Sequence, residues 1–386
     1  MAGPLTGIRV LELPNIGPMQ FAGMVLSDLG AEVLRLDRAT SVAAGESIMP
    51  ASPYASLDRG RRSVGVDLKH PEGPPTVLHL CEHADVLIEG FRPGVAERLG
   101  IGPDDCRAAN PRLVYGRMTG WGQDGPLAHD PGHDINYIAL AGVLAHIGSA
   151  GGPPVPPLNL IGDFGGGGLL LAFGILAALV ERGVSGEGQV VDAAMVDGSA
   201  SLMSLFVGLD AMGYWSEERG TNLLDGGAHF YGAYETADDR WISIASYEPQ
   251  FYAELVRVLT PLGFADLDPA TQMDKTTWPG LKERFVTLFR TRTRDEWVEL
   301  FSGYEVCFAP VLTMREARAH PHNVARETFI EIDGAPQAAP APRFSRTSPS
   351  TPTAPVVPGH DTDSALADWG IDAAEVARLK ESGALA

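Results

Sequence analysis

Cysteine is scarce in this chain. There are three, Cys81, Cys106 and Cys307, in 386 residues, too few for a disulfide framework, and no spacing pairs them as metal ligands, so no metal is expected. Positive charge is also short: 29 Lys and Arg stand against 49 Asp and Glu, a net charge of −20. That argues against nucleic acid and an anionic membrane as partners; an anionic ligand needs basic residues gathered locally. The opening MAGPLTGIRVLEL shows neither a basic n-region nor an apolar h-region, so no secretion signal is expected and a reducing cytoplasm fits the cysteine usage. The most apolar run, GGGGLLLAFGILAALV, between Asp163 and Glu181, is short for a membrane span and begins with four glycines; it predicts a buried core helix.

What is present reads as two domains, as the length suggests. In the first third, strand-like GIRVLEL, EVLRLDR, DVLIEG and LVYGRM alternate with helical segments, the pattern of βαβ units and a mostly parallel sheet. Sites in such sheets lie beyond the carboxyl ends of the strands. From about Asp225 the texture changes: AHFYGAYETADDRWISIAS predicts two antiparallel strands turning at Asp238 and Asp239, followed by helices. Residues 339–358, rich in Pro, Ser and Thr, read as an extended connector, and DAAEVARLKESGAL as a polar surface helix.

Several short stretches carry candidate chemistry. The first βαβ turn, NIGPMQFAG, lacks the G-x-G-x-x-G spacing and holds Pro18 where that loop needs freedom, which argues against a dinucleotide. Basic residues gather at Arg35, Arg38, Arg59, Arg61, Arg62, Lys69, Arg92 and Arg98, a phosphate cradle or a solvated positive face. In GDFGGGG, Asp163 either caps a helix or does chemistry, and the glycines imply a close approach by a ligand, the favoured reading, or by a neighbouring helix. GHDINYIALAG places His133 and Asp134 at a helix start, where the positive dipole end favours a neutral imidazole able to accept a proton. Alone, such a histidine is more often structural. Glu248, in ASYEPQFY, is by itself an ordinary helix-start carboxylate.

Together these pieces resemble the class III CoA-transferase (CaiB/BaiF) superfamily. The likeness runs through PLTGIRVLEL, LGAEVLRLDR, RRSVGVDLK, DVLIEGFRPGVAERLG, RMTGWGQDGP, GHDINYIALAG, PPLNLIGDFGGGG, GEGQVVDAAMVDG, LDGGAHFYGAYE and EPQFYAEL, nearly the whole chain, and is strongest to the racemase branch. The resemblance implies an α/β fold with a Rossmann-like large domain (1–200 and 330–386), a linker (201–222), a smaller α/β domain (223–325) and a return connector (326–358). It implies an interlocked homodimer whose active site is shared between chains. It places CoA, as part of the substrate and with no separate cofactor, on Arg38, Val66, Asp67, Leu68, Lys69, Gly90, Phe91, Arg92 and Arg98. It makes His133 and Asp163 the catalytic bases and Glu248 the partner of His133. Gly132, Ile135, Asn136, Tyr137, Gly162, Phe164 and Gly165 would lie beside the substrate.

The activity so implied is interconversion of (2R)- and (2S)-2-methylacyl-CoA through an enolate. Two proton-transfer groups on opposite faces suit that chemistry, with the Asp134 backbone N–H as a preorganised donor to the enolate oxygen. The alternative is CoA transfer between carboxylic acids through an aspartyl-CoA intermediate on Asp163; His133 and Glu248 favour the racemase. A CoA-binding protein without catalysis is a third reading, opposed by the intact trio. Asp238–Asp239 in place of the family's Asp-Gly turn, and a longer C-terminal extension, depart from the pattern.

Overall fold

A computed structural model describes residues 2–44, 52 and 54–386. They form two compact units. The first comprises residues 1–142, 157–203 and 327–386; the second, 143–156 and 204–326. Residues 143–156 thus belong with the second unit although the first flanks them in sequence.

The first unit is built on six strands: β1 (Arg9–Glu12), β2 (Glu32–Arg38), β3 (Arg62–Val66), β4 (Val86–Glu89), β5 (Val114–Thr119) and β6 (Val190–Ala194). Their order is β3-β2-β1-β4-β5-β6 and every pairing is parallel. Helices α1 (Pro18–Asp28), α2 (Ala39–Ala44), α3 (Gly73–Glu82), α4 (Val95–Arg98), α5 (Pro103–Ala109) and α6 (Asp134–Leu140) lie between the first five strands and after β5. This is the doubly wound order, whose direction reverses between β1 and β4; ligand crevices in such sheets open at that point, beyond the strand ends. Buried on both faces, the strands read as apolar runs such as the fully buried VLIE of β4.

The apolar run after Asp163 departs from the buried-helix expectation in two ways. Leu160–Leu169 is wound in π geometry and continues as α7 (Leu170–Ser185). Its inner face packs in the sheet core through Leu171, Ala172, Ile175 and Ala178. Its outer face is open: Phe173 is 67%, Val180 75% and Val184 90% exposed. By length and composition Leu160–Ser185 is the one helix among the described residues able to cross a membrane. After β6, α8 (Met195–Leu202) ends this part of the unit.

The second unit includes α9 (Ser204–Ala211) and holds an antiparallel sheet in the order β7-β8-β9: β7 (Tyr231–Glu235), β8 (Trp241–Ala245) and β9 (Phe308–Val311). Asp239, in the β7–β8 turn, takes a φ of 54°, a left-handed conformation that aspartate tolerates better than most residues. Helices α10 (Pro249–Leu259), α11 (Trp278–Phe289) and α12 (Arg294–Phe301) accompany the sheet over an aromatic core that includes Phe230, Tyr252, Trp278, Phe285, Phe289 and Trp297. His229 is fully buried there, 2.8 Å from the Tyr252 hydroxyl, and burial pushes its pKa down to about 4. Helices α13 (Met314–Ala319) and α14 (Pro321–Ala325) close the unit.

The chain returns to the first unit through a hairpin of β10 (Phe329–Ile332) and β11 (Ala335–Ala338), then an irregular stretch to α15 (Thr362–Asp368) and α16 (Ala373–Ser382). The C-terminal helix is more than a polar surface helix. Trp369, Val376, Leu379 and Leu385 are buried in the core, and Leu385 bridges Val66 at the edge of β3.

Candidate active site

Two chain segments meet beyond the carboxyl end of the first unit's sheet. One follows β5 and leads into α6. His133 is the N-cap of that helix and is exposed; its backbone N–H donates to Asn136 Oδ1 at 3.0 Å. Asp134 is the first helical residue and is 7% exposed. The N–H groups of a helix's first turn have no intrahelical acceptor, so those of Asp134 and Ile135 remain available as donors.

The other segment is the π-wound turn holding Asp163. Its backbone N–H donates to Asp134 Oδ2 at 2.7 Å, so Asp134 caps the second segment and not its own helix. Asn159 Nδ2 donates to Asp163 Oδ2 at 3.1 Å. Asn159 is a polar partner that sequence reasoning missed; its spacing of four before Asp163 on one helical turn was the signal. The preceding Leu158 has a φ of 59°, a strained conformation for a branched residue and one that concentrates at functional sites. π-turns have the same tendency.

Burial raises the Asp163 carboxyl above its ordinary value. The Asn159 hydrogen bond opposes this, the Asp134 charge adds to it, and the nearby His133 works against it. Tyr137, buried one turn after His133, is raised by burial and by the Asp163 charge and lowered by Arg92. Its ring fills the space a Cβ would need at Gly120 or Gly132, at 2.1 and 2.7 Å. A Cβ on Gly17, at the head of α1, would stand 3.6 Å from Asp163 Oδ2. Phe164 packs on Phe21 of α1 with centroids 4.9 Å apart. His133, Asp134, Tyr137, Asp163, Arg92 and the β1–α1 turn are thereby gathered in one place.

The glycine run has a different purpose from the ligand approach expected of it. A Cβ on Gly166 would stand 2.7 Å from the Ser199 nitrogen of α8, one on Gly167 2.9 Å from Met195, and one on Gly168 2.3 Å from the Pro18 carbonyl. Neighbouring helices, not a ligand, take up that closeness. Gly162 is the exception: a Cβ there would meet Asp134 Oδ2 at 2.5 Å. Gly165 faces Leu160 and Leu202.

The basic cluster also divides. Arg59 pairs with Asp28 at 2.5 Å, Arg61 with Glu12 at 2.6 Å, Arg35 with Asp37 and Asp58 at 2.9 and 3.0 Å, and Arg62 with Asp368 at 2.8 Å. All four are engaged within the protein, Arg35, Arg59 and Arg61 buried and Arg62 at the surface, and they form no phosphate cradle. Arg38, which ends β2, and Lys69, Arg92 and Arg98, which lie beyond the ends of β3 and β4, are exposed and form no ion pair among the described residues. Two turns near them are tightly built. The Phe91 N–H donates to Glu89 Oε2 at 2.6 Å, and a Cβ on Gly90 would come 2.7 Å from Met19 Sδ. The Lys69 N–H donates to Asp67 Oδ1 at 2.9 Å, while buried Val66 and half-buried Leu68 anchor that turn in the core.

Glu248 lies in the second unit. It is the exposed N-cap of α10, and its carbonyl accepts from the Tyr252 N–H at 3.0 Å.

A family model for CoA-transferase family III matches residues 5–363. Over 379 residues the chain is 45% identical to the alpha-methylacyl-CoA racemase of Mus musculus, spanning 97% of this chain and 96% of that protein. It is 42% identical to the alpha-methylacyl-CoA racemase of Homo sapiens over 380 residues, again 97% and 96% of the two chains. Its structure is similar to that of a CAIB/BAIF family protein from Brucella suis, with a TM-score of 0.80 over 96% of this chain and all of that one; at 24% identity this likeness concerns the fold alone.

Proposed function

The chain belongs to CoA-transferase family III, and from that premise we propose that it is an isomerase of the alpha-methylacyl-CoA racemase type, interconverting (2R)- and (2S)-2-methylacyl-CoA thioesters. The observation that carries this reading is the meeting of His133 and Asp163, from segments 30 residues apart in sequence (163 − 133), in one site. Inversion at the α-carbon needs one group to take a proton from one face while another delivers a proton to the opposite face. Each must hold a proton in one direction and lack it in the other. Burial raises the Asp163 carboxyl above its ordinary value, which suits a group that must act both as acid and as base beside a histidine.

In the forward step one of the two removes the α-proton and the thioester carbonyl becomes an enolate oxygen. The other then protonates the opposite face, so the pair ends with its proton exchanged between them. The N–H of Asp134 donates to the enolate oxygen, a preorganised dipole that needs no rearrangement as charge develops. Glu248 orients His133 and stabilises its imidazolium, the role of the carboxylate in a catalytic triad. The CoA moiety rests on Arg38, the Val66–Lys69 turn, Gly90–Arg92 and Arg98, with the unpaired cations meeting its phosphates. Gly132, Ile135, Asn136, Tyr137, Gly162, Phe164 and Gly165 surround the acyl α-carbon.

The protein works as a homodimer with a site shared between chains. The open apolar face of α7 supports this, because exposed apolar side chains gathered on one helix face mark an interaction surface. The scarcity of cysteine and of basic residues favours a cytoplasmic protein that binds neither membrane nor nucleic acid. The decisive assay incubates one 2-methylacyl-CoA epimer in deuterated water. Appearance of the other epimer carrying deuterium at C2, with no added acid, is the expected result. Turnover only after a free carboxylic acid is supplied, with CoA moving to it, would establish the transferase instead.

A further inference from the structure

We infer that the Asp134 side chain is the strut that fixes the spacing of the two proton-transfer groups, so that a proton taken from one face of the α-carbon is replaced from the other. The inference rests on His133 and Asp163 being those groups. Asp134 follows His133 directly, and its Oδ2 accepts the Asp163 N–H at 2.7 Å across 29 residues of sequence. One side chain thus joins the backbone carrying one base to the backbone carrying the other. The joint is close-fitting: only glycine fits at position 162, where a Cβ would stand 2.5 Å from Asp134 Oδ2 and 3.2 Å from Ile138.

Capping alone does not account for an aspartate here. Its Oδ1 is buried without a partner, and an unpaired buried acceptor costs on the order of 1–3 kcal/mol. A serine or asparagine would offer the same single acceptor without that charge. The charge acts on Asp163, whose carboxyl it raises in concert with burial. The other polar groups facing Asp163 are Asn159, His133 and Tyr137, and Arg92 acts in turn on Tyr137. Asp134 is therefore a positioning residue with an electrostatic component, acting through Asp163.

The chemistry supplies a readout that general destabilisation does not move. A base that has taken the α-proton can exchange it with solvent and return it to the same face, giving deuterium incorporation with retention. Inversion requires the second base to be in reach at the same moment. If the strut is lost, exchange with retention survives and inversion does not.

The test uses Asp134→Ala and Asp134→Asn in the full-length protein, one 2-methylacyl-CoA epimer in deuterated water, and separate measurement of deuterium in the recovered and the inverted epimer. Asp134→Ala is expected to lower kcat for inversion by about 10–100-fold and to raise the ratio of retained to inverted exchange at least about fivefold. Asp134→Asn, whose amide oxygen can still accept the Asp163 N–H, is expected to restore most of that ratio. Its pH profiles should move to lower pH: the direction in which Asp163 accepts a proton stays active to lower pH, and the direction in which it donates one falls off earlier. Equal loss of exchange and inversion in both variants, or a wild-type ratio and wild-type profiles in both, would overturn the inference. Failure of the underlying reading looks different: His133→Ala and Asp163→Ala would still invert the substrate.

Discussion

Arg61 and Arg98 belong to one basic cluster in the sequence and have opposite fates in the fold. Arg61 precedes β3, has no solvent exposure in its side chain and is held by both oxygens of Glu12 at 2.6 and 2.7 Å. Arg98 ends α4 beyond β4, is exposed and makes no ion pair among the described residues. The difference follows from topology. Arg59 and Arg61 precede β3, Arg62 opens it, and the three meet carboxylates of α1, β1 and α15; Arg38 closes β2 and Lys69, Arg92 and Arg98 lie beyond the ends of β3 and β4, the side on which doubly wound folds open to ligands. Cations of the first group are spent on the protein, and those of the second are free for an anion.

Breaking the first group should cost folding and spare recognition. Arg61→Ala strands a buried Glu12 and is expected to lower stability by about 3–5 kcal/mol in denaturant titration; a loss under about 1 kcal/mol would show the pair to be dispensable. The pair's net worth is a separate matter. Burial raises the carboxyls of Asp28 and Glu89 even with Arg59 and Arg117 beside them, which shows how large desolvation is in such pairs.

Breaking the second group should do the reverse. Arg98→Ala is expected to weaken CoA binding about tenfold by calorimetry, on the order of 1.4 kcal/mol, with Tm within about 1 °C of wild type. Equal affinity would remove Arg98 from the CoA site, and a large fall in Tm would place it with the struts.

The smallest expected effect sharpens the contrast at Asp163. Its carboxyl is raised in the folded protein, so the folded state binds its proton more tightly than the unfolded chain does. Its contribution to stability therefore declines as pH rises through the window between the ordinary aspartate value and the raised one, and at neutral pH the ionised group is a net cost. Asp163→Asn should accordingly abolish inversion while leaving Tm at neutral pH unchanged or slightly higher. A clear drop in Tm would mean that the charge stabilises the fold.

Much of the fold could be read from periodicity. The alternation of short apolar strands with helices in residues 8–119 announces a parallel sheet, and the period-two pattern around Asp238 announces the β7–β8 hairpin. What escaped was whatever depends on partners distant in sequence. Nothing in DRGRRS tells that Arg59 and Arg61 face Asp28 and Glu12, and nothing in GDFGGGG tells that Gly166, Gly167 and Gly168 meet α8 and Pro18. The open face of α7 was hidden because an apolar helix reads alike whether or not both faces are covered. In the candidate site, His133 and Asp163 stood out through the family resemblance, whereas the bond from Asp163 to Asp134 joins two stretches whose proximity only the fold creates.

The assignment of His133 and Asp163 to opposite faces of one α-carbon stands or falls on His133→Ala in deuterated water, starting from each pure 2-methylacyl-CoA epimer in turn. With Asp163 left as the single base, deuterium should enter one epimer with retention, hardly enter the other, and inversion should fall by at least about a thousandfold. Inversion from both epimers at near wild-type rates would remove His133 from that role.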